Sequence, residues 1–316
     1  MAARTPVALC PRHEDERQLY LKLESLQPVG SFKLRGAYNK IASLTDSERA
    51  RGVITYSSGN HAQGVAYAAR KVGCRAVIVM PRNAPEIKKQ STAALGAEIV
   101  EVGPSSLERQ AKAEALAAQH GYAIIAPYND EKIIAGQGTA GLEIMEELPE
   151  AELILVPVGG GGLISGIASA VKLSGKPAKV VGVEPEVAAD ARDSLRRGKI
   201  VEISAEQAGR TVADGLRTQR VGEITFEHIR KYVDDIITVS EDQILEAMRR
   251  LALNAHLVAE PSGAVSFAGF LFHQHELPQA RRTVAVISGG NAEPEMLSRV
   301  LLEDEGESWL QATVGG

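Results

Sequence analysis

Leu153-Ile154-Leu155-Val156-Pro157-Val158-Gly159-Gly160-Gly161-Gly162-Leu163-Ile164-Ser165-Gly166-Ile167-Ala168 runs from an apolar stretch through four glycines into a segment rich in small residues. The apolar stretch has the character of a buried strand in a parallel sheet. The residues after the glycines open a helix whose packing face is small. The order is therefore strand, glycine turn, helix N-terminus. At such a junction the first N–H groups lack intrahelical partners and the positive end of the helix dipole faces outward. Glycine removes the side chains that would hold an anion away. A phosphate suits this turn. Read alone, the cluster is equally well a flexible turn. A dinucleotide fingerprint fails, because the glycine spacing differs and no acidic residue closes a strand about 20 residues later. The absence of Gly-Lys-Ser/Thr excludes a nucleoside triphosphate loop.

The chain has 316 residues, enough for one large or two moderate domains. A net charge of −5 with no basic cluster argues against nucleic acid or an anionic membrane as partner. No apolar run approaches the roughly 18 residues of a membrane-spanning helix. Met1-Ala-Ala-Arg-Thr-Pro lacks the apolar centre of a signal peptide. Cys10 and Cys74 form no disulfide framework and have no metal-ligand spacing, so they read as thiols in a reducing cytoplasm.

Outward from the glycines, short strands and helices alternate. Tyr20–Glu24 reads as a strand, and Ser31 as the N-cap of a helix over Phe32–Ser43. Strands are predicted at Val53–Tyr56, Ala76–Met80, Glu98–Val102 and Tyr122–Ala126, with helices at Ala62–Val72, Pro85–Ala94 and Leu107–Gln119 between them. A helix over Glu131–Leu148 precedes the glycine unit, and Lys179–Val183 supplies the next strand. Residues Asp193–Gly222 read as polar and irregular. Ser240–Gln243 caps a helix over Ile244–Ala255, Glu260–Gly263 opens another, and Thr283–Ile287 is the last strand. The pattern predicts an α/β protein with two parallel-sheet domains. The large domain takes residues 1–50 and 130–316, and a small one, 51–129, is inserted into it.

Three polar loops follow strand ends: Ser57–His61, Gly159–Gly162 and Ser288–Asn291. Ligands of open parallel sheets gather at the carboxyl ends of strands. Ser31-Phe32-Lys33 sits at a helix start, where the dipole and burial disfavour an ammonium and favour a nucleophilic amine. Singly, Lys33 reads as a solvated side chain and Asn60 or His61 as turn residues. It is their combination that points to a site.

Ser31-Phe32-Lys33-Leu34-Arg35-Gly36-Ala37 resembles the lysine motif of the serine/threonine dehydratase and serine racemase family, which uses pyridoxal phosphate. Ser57-Ser58-Gly59-Asn60-His61-Ala62-Gln63-Gly64 is similar to that family's asparagine loop, Gly159–Gly162 to its phosphate loop and Ser288-Gly289-Gly290-Asn291 to its pyridine-nitrogen motif. The resemblance runs in order from Thr5 to about Leu302. It implies the tryptophan-synthase-β-like architecture, known as fold type II among pyridoxal phosphate enzymes.

By this resemblance Lys33 forms the Schiff base and later takes the substrate's Cα proton, with Phe32 packed near the ring. Asn60 hydrogen-bonds the cofactor's 3′-oxygen. Gly159, Gly160, Gly161, Gly162 and Leu163 hold the phosphate, and Ser288 faces the pyridine nitrogen. A neutral hydroxyl there makes the ring a weaker electron sink than an aspartate would, which suits prompt expulsion of a β-hydroxyl. Ser57, Ser58, Asn60 and His61 hold the substrate carboxylate. The implied reaction removes water from L-threonine or L-serine and ends in a 2-keto acid and ammonia.

Ser58, on the face opposite Lys33, is the position of the second base in racemases, so serine racemisation is an alternative. Arg109 falls where the racemase branch carries an arginine able to face a second carboxylate, which points to 3-hydroxyaspartate; an exposed helix arginine is the other reading. Glu184, the Ala188 carbonyl and Asp190 resemble that branch's divalent-cation site, taken as Mg²⁺ with a structural role; on spacing alone they are a solvated acidic turn. The resemblance carries a small-molecule substrate, a homodimer and a cytoplasmic location. The chain starts almost at Arg4-Thr5-Pro6, before which relatives carry a helix, and ends soon after the last strand. The expectation is therefore no regulatory domain and a degradative role. Transferase chemistry of the cysteine synthase kind fits the lysine motif less well. A mere cofactor reservoir would have no use for a carboxylate-binding loop.

Overall fold

The computed structural model describes residues 1–11, 17–103 and 106–302. Among the described residues ten strands form two sheets, and the two-sheet division is the one that the alternation of elements predicts. β1 (Val7–Leu9), β2 (Gln18–Leu23), β7 (Leu153–Pro157), β8 (Lys179–Pro185), β9 (Asp235–Val239) and β10 (Arg282–Ile287) make the larger sheet, in the order β1-β2-β10-β7-β8-β9. β3 (Val53–Tyr56), β4 (Ala76–Pro81), β5 (Glu98–Val102) and β6 (Ala123–Ile124) make the smaller one, in the order β5-β4-β3-β6. Every pairing is parallel except that of β1 with β2. The register of β10 sets Arg282–Ile287 beside Gln18–Leu23 and Thr283–Ala285 beside Leu153–Leu155, so the last strand of the chain lies in the middle of the sheet.

Thirteen α-helices among the described residues connect and cover the sheets. α1 (Lys33–Ala42), α2 (Asp46–Arg51), α3 (Asn60–Val72), α4 (Glu86–Ala94), α5 (Ser106–His120) and α6 (Glu131–Glu147) precede the glycine turn. α7 (Gly162–Leu173), α8 (Asp190–Arg197), α9 (Ala205–Gly209), α10 (Glu223–Tyr232), α11 (Glu241–Asn254), α12 (Pro261–Phe272) and α13 (Pro294–Leu302) follow it. Local signals set many boundaries. Thr45 with Glu48 and Ser240 with Gln243 form capping boxes, and Asp130 accepts from the N–H groups of Lys132 and Ile133 at 2.8 and 3.1 Å. All of β7 is buried, as a strand covered on both faces must be.

The sequence expectation fails at several places, each for a physical reason. Ser31 is not the cap of α1: Phe32 holds that position without a side-chain bond, and Ser31 is drawn into a bridge with Gly289. The strand expected at Tyr122–Ala126 shrinks to two residues, because β3 pairs only with Ala123 and Ile124. The stretch read as irregular contains α8 and α9, whose few apolar residues give no long period. β1, β9 and α10 are further elements that short or mixed patterns did not announce.

α1 joins the two halves. Leu34, Ala37 and Ile41 are fully buried in the core that also contains Val53, Ala76 and Ile78 of the smaller sheet. On its other side, Arg35 enters a buried ionic cluster. Its guanidinium donates to both oxygens of Glu24 at 2.7 Å, and to both oxygens of Glu143 at 2.6 and 2.7 Å. Lys22, fully buried on β2, donates to Glu143 at 2.6 Å and to the Thr5 carbonyl at 2.5 Å. Paired charge and full hydrogen bonding make the cluster tolerable; removing one partner leaves an uncompensated ion. Arg35→Met is expected to lower unfolding free energy by about 3–5 kcal/mol in urea denaturation. A loss below about 1 kcal/mol, the range of a surface pair, would show that the cluster does not anchor α1.

Candidate active site

Lys33 is the first residue of α1, and α1 begins just beyond the carboxyl end of β2. Its Nζ donates to the Pro127 carbonyl at 2.9 Å and lies 5.2 Å from the centre of the Phe32 ring. Loss of hydration lowers its pKa to about 8, against the opposing pull of the Glu260 carboxylate. The amine is thus neutral far more often at neutral pH than that of an ordinary lysine. The backbone N–H of Phe32 donates to the Ser288 carbonyl at 3.0 Å, which fastens the start of α1 to the end of β10.

The glycine turn follows β7. Gly161 caps α7 in the left-handed region, at φ +90°, where no side-chain bond closes the helix start. The first N–H groups of α7 therefore remain available to an anion. Gly160 is required by contact: a Cβ there would come within 2.3 Å of the Tyr128 ring. Its carbonyl accepts from Thr225 Oγ1 at 2.8 Å, which holds the turn open against α10. Leu163 lies in the first turn of α7, and its side chain is buried in the core. A phosphate fits here, at an uncapped helix start walled by a tyrosine.

Ser57, Ser58 and Gly59 link β3 to α3, half-buried, with the Gly59 N–H donating to Ser57 Oγ at 3.3 Å. Asn60 opens α3 and donates from Nδ2 to Glu260 Oε1 at 2.6 Å. His61 turns into the core, where Nε2 meets the Ile125 carbonyl at 3.0 Å. A carbonyl only accepts, so this nitrogen carries the proton. Burial, with the nearby Lys33 charge adding, lowers the His61 pKa to about 3. Ser288 is buried, and its hydroxyl donates to the Ser262 carbonyl at 3.3 Å. The start of α1 is thus tied to Ser288, the Lys33 amine to Pro127, Asn60 to Glu260 and the glycine turn to Thr225.

Arg109 lies on α5, half-buried, and desolvation lowers its pKa. Glu184, Ala188 and Asp190 stand at and beyond the carboxyl end of β8, the strand next to β7. Glu184 and Asp190 are both fully buried. Glu184 accepts the N–H groups of Ala191 and Arg192 at 3.1 and 2.8 Å, while neither Asp190 oxygen has a hydrogen-bond partner. Burial raises both carboxyls, Asp190 to about 7. Among the described residues, no cluster of three His, Cys, Asp or Glu side chains forms.

Residues missed by sequence reasoning complete the site. The Pro127 carbonyl and the Tyr128 ring face the lysine and the glycines, yet a Pro-Tyr pair after a short strand carries no motif. Glu260 is 5% exposed and burial lifts its carboxyl to about 7. In sequence it reads only as the residue before a proline that starts a helix, and that local signal hides its reach into the site.

The His61 imidazole is neutral when folded but titrates near 6.5 when unfolded, so the unfolded chain binds the extra proton between these values. Its contribution to stability is full above about pH 6.5 and is lost as pH falls towards 3. The gap in unfolding free energy between wild type and His61→Gln should narrow over that window by about 1.4 kcal/mol per pH unit. A gap that stays constant from pH 6.5 to 4 would refute the buried neutral imidazole.

Comparison with known proteins agrees with this geometry. Over 285 residues the chain is 46% identical to an L-threonine ammonia-lyase of Thermotoga maritima, covering 90% of this chain and 70% of that one. Over 293 residues it is 43% identical to an L-threo-3-hydroxyaspartate ammonia-lyase of Saccharomyces cerevisiae, covering 92% and 88%. The structure of maize serine racemase superimposes with a TM-score of 0.90 at 36% identity, covering 94% of this chain and 91% of that one. Residues 2–289 match the family described as pyridoxal-phosphate dependent enzymes. With a lysine at a helix start, an uncapped glycine turn for a phosphate and a hydroxyl closing the last strand, the chain belongs to the family of pyridoxal-phosphate dependent enzymes.

Proposed function

We propose that the chain eliminates water from a β-hydroxy amino acid, L-threonine or L-serine, and yields a 2-keto acid and ammonia. The observation that carries this reading is the meeting of two anchors at one loop: Lys33 Nζ rests on the Pro127 carbonyl, and Tyr128 walls the glycine turn. An amine with a lowered pKa and a phosphate cradle thus flank one space.

When bound, pyridoxal phosphate supplies the electron sink that makes a Cα–H bond acidic. Lys33 holds the cofactor covalently and moves the Cα proton. Phe32 packs beside the ring, Asn60 donates to the 3′-oxygen and the Ser288 hydroxyl faces the pyridine nitrogen. Gly159, Gly160, Gly161, Gly162 and Leu163 bind the phosphate through backbone N–H groups. Ser57, Ser58, Asn60 and His61 receive the substrate carboxylate, with His61 acting through its backbone because its ring is engaged by Ile125. Residues 51–129 act as a small domain inserted into a large cofactor-binding one.

Two observations favour a second reaction or a further substrate at the same site. Ser58 lies in the turn that would face Lys33 across the substrate, which suits serine racemisation and agrees with the likeness to maize serine racemase. Arg109, together with the yeast relative, suits 3-hydroxyaspartate. Glu184, the Ala188 carbonyl and Asp190 are proposed to hold a divalent cation, Mg²⁺ among others; the partnerless oxygens of buried Asp190 support this, because such a carboxylate is costly without a counter-charge. Among the described residues no helix is long and apolar enough to cross a membrane. A cytoplasmic homodimer is proposed, supported by the exposed Leu142 and Leu173 on two helices packed against each other.

The chain loaded with pyridoxal phosphate should absorb in the visible and release keto acid from L-threonine, L-serine or L-threo-3-hydroxyaspartate. Lys33→Ala should lose both properties. Keto acid production at the wild-type rate by Lys33→Ala would refute the mechanism, whereas D-serine formation without keto acid would move the assignment to racemase. For the cation, added Mg²⁺ should raise the melting temperature of wild type and leave Asp190→Asn unmoved. An equal response in both proteins would remove the site.

A further inference from the structure

Asn291 closes the loop after β10, and its side chain lies against Gly30, where a Cβ would come within 2.3 Å of Asn291 Oδ1. Its Nδ2 donates twice, to the Val29 carbonyl at 2.8 Å and to Asn60 Oδ1 at 2.7 Å. Asn60 in turn donates from Nδ2 to Glu260 Oε1 at 2.6 Å. Donation therefore starts at the Asn291 NH₂ group and runs outward, to Val29 on one side and through Asn60 to Glu260 on the other.

That direction is dictated from one end. An amide can be turned over, exchanging its oxygen and its NH₂ group at little steric cost. A peptide carbonyl only accepts, so the Asn291 edge at Val29 is NH₂. The second N–H of that group then meets Asn60, whose facing atom must be its oxygen. Glu260 cannot settle the matter alone, because a carboxyl accepts or donates according to its proton. Val29 has no such freedom.

We propose that Asn291 is a positioning residue that fixes the amide of Asn60, so that Asn60 turns an N–H, and not its carbonyl, to the 3′-oxygen of the cofactor. This rests on the reading that Asn60 meets that oxygen. One Asn60 N–H is taken by Glu260 and the other is left for the cofactor. With Asn60 turned over, its carbonyl would face the electron-rich 3′-oxygen, and an attraction would become a repulsion.

The test uses the full chain stripped of cofactor and titrated with pyridoxal phosphate or with 3-deoxypyridoxal phosphate, which differs only in lacking the 3′-oxygen. Absorbance and fluorescence report binding without turnover. Wild type should prefer pyridoxal phosphate by roughly tenfold, the scale of one hydrogen bond. Asn60→Ala should abolish the preference. Asn291→Asp, nearly the same shape but unable to donate to Asn60, should reduce it as far, and the double variant should lose nothing more. Asn291→Ser, with one short donor, provides the same comparison should the aspartate not fold. Full preference in either Asn291 variant, alongside its loss in Asn60→Ala, overturns the inference. Full preference in Asn60→Ala overturns the reading beneath it, and the inference with it.

Discussion

The position of Lys33 depends on a salt cluster that it never touches. Two residues along α1 turn a side chain by about 200°, so Lys33 and Arg35 leave the helix on nearly opposite sides. The guanidinium is held by four carboxylate oxygens, two from Glu24 beside β2 and two from Glu143 on α6. Such a grip fixes how far α1 is rotated about its own axis, and hence where the amine on its other side points. Lys22 balances the remaining charge of Glu143, leaving two cations against two anions, of which only Glu143 keeps an exposed edge. A pair of apolar residues could fill that volume. It could not supply the angular precision of a bidentate fork.

Electrostatics then follows from where helices begin. α1 starts at Lys33, α3 at Asn60, α7 at Gly162 and α12 at Pro261; Asn60 donates to Glu260, the cap of α12, and Phe32, the cap of α1, donates to Ser288 just past β10. Helix N-termini carry positive partial charge. Their positive field favours an anion over an ammonium, whereas the lowered pKa of Lys33 itself comes from loss of hydration. Glu260, at the start of α12, opposes that field and keeps some positive charge tolerable near the amine.

Much of this was legible in the sequence because it is local. A strand, a glycine turn and a helix start can be read in one line, and so can the capping box at Ser240. The loops at Ser57 and Ser288 were legible for the same reason, since each ends a strand. What escaped is long-range. Asn60 and Glu260 are 200 residues apart in the chain, and Asn60 and Asn291 231 apart. No period or spacing encodes such pairs. His61 was read as a carboxylate donor because it stands in the right loop, but which side of α3 its ring takes is decided by the carbonyl of Ile125, across the smaller sheet. Ser31 looked like a cap until the tertiary bridge to Gly289 outcompeted the local bond.

The strand order has a consequence for synthesis. All four strands of the smaller sheet lie between Val53 and Ile124, so that sheet has every strand it needs before β7, β8, β9 and β10 of the larger one are made. The larger sheet has no such freedom: its central member, β10, is made last, and until it arrives β2 and β7 have no common neighbour. Before then the apolar faces of β2 and β7 stand exposed, the circumstance in which nascent chains aggregate or call on chaperones. The same late segment carries Ser288 and Asn291, so the groups proposed to complete the pocket are made after the other nine strands. A chain stalled before Arg282 would carry the lysine and the glycine turn, yet lack the strand that pairs with both β2 and β7.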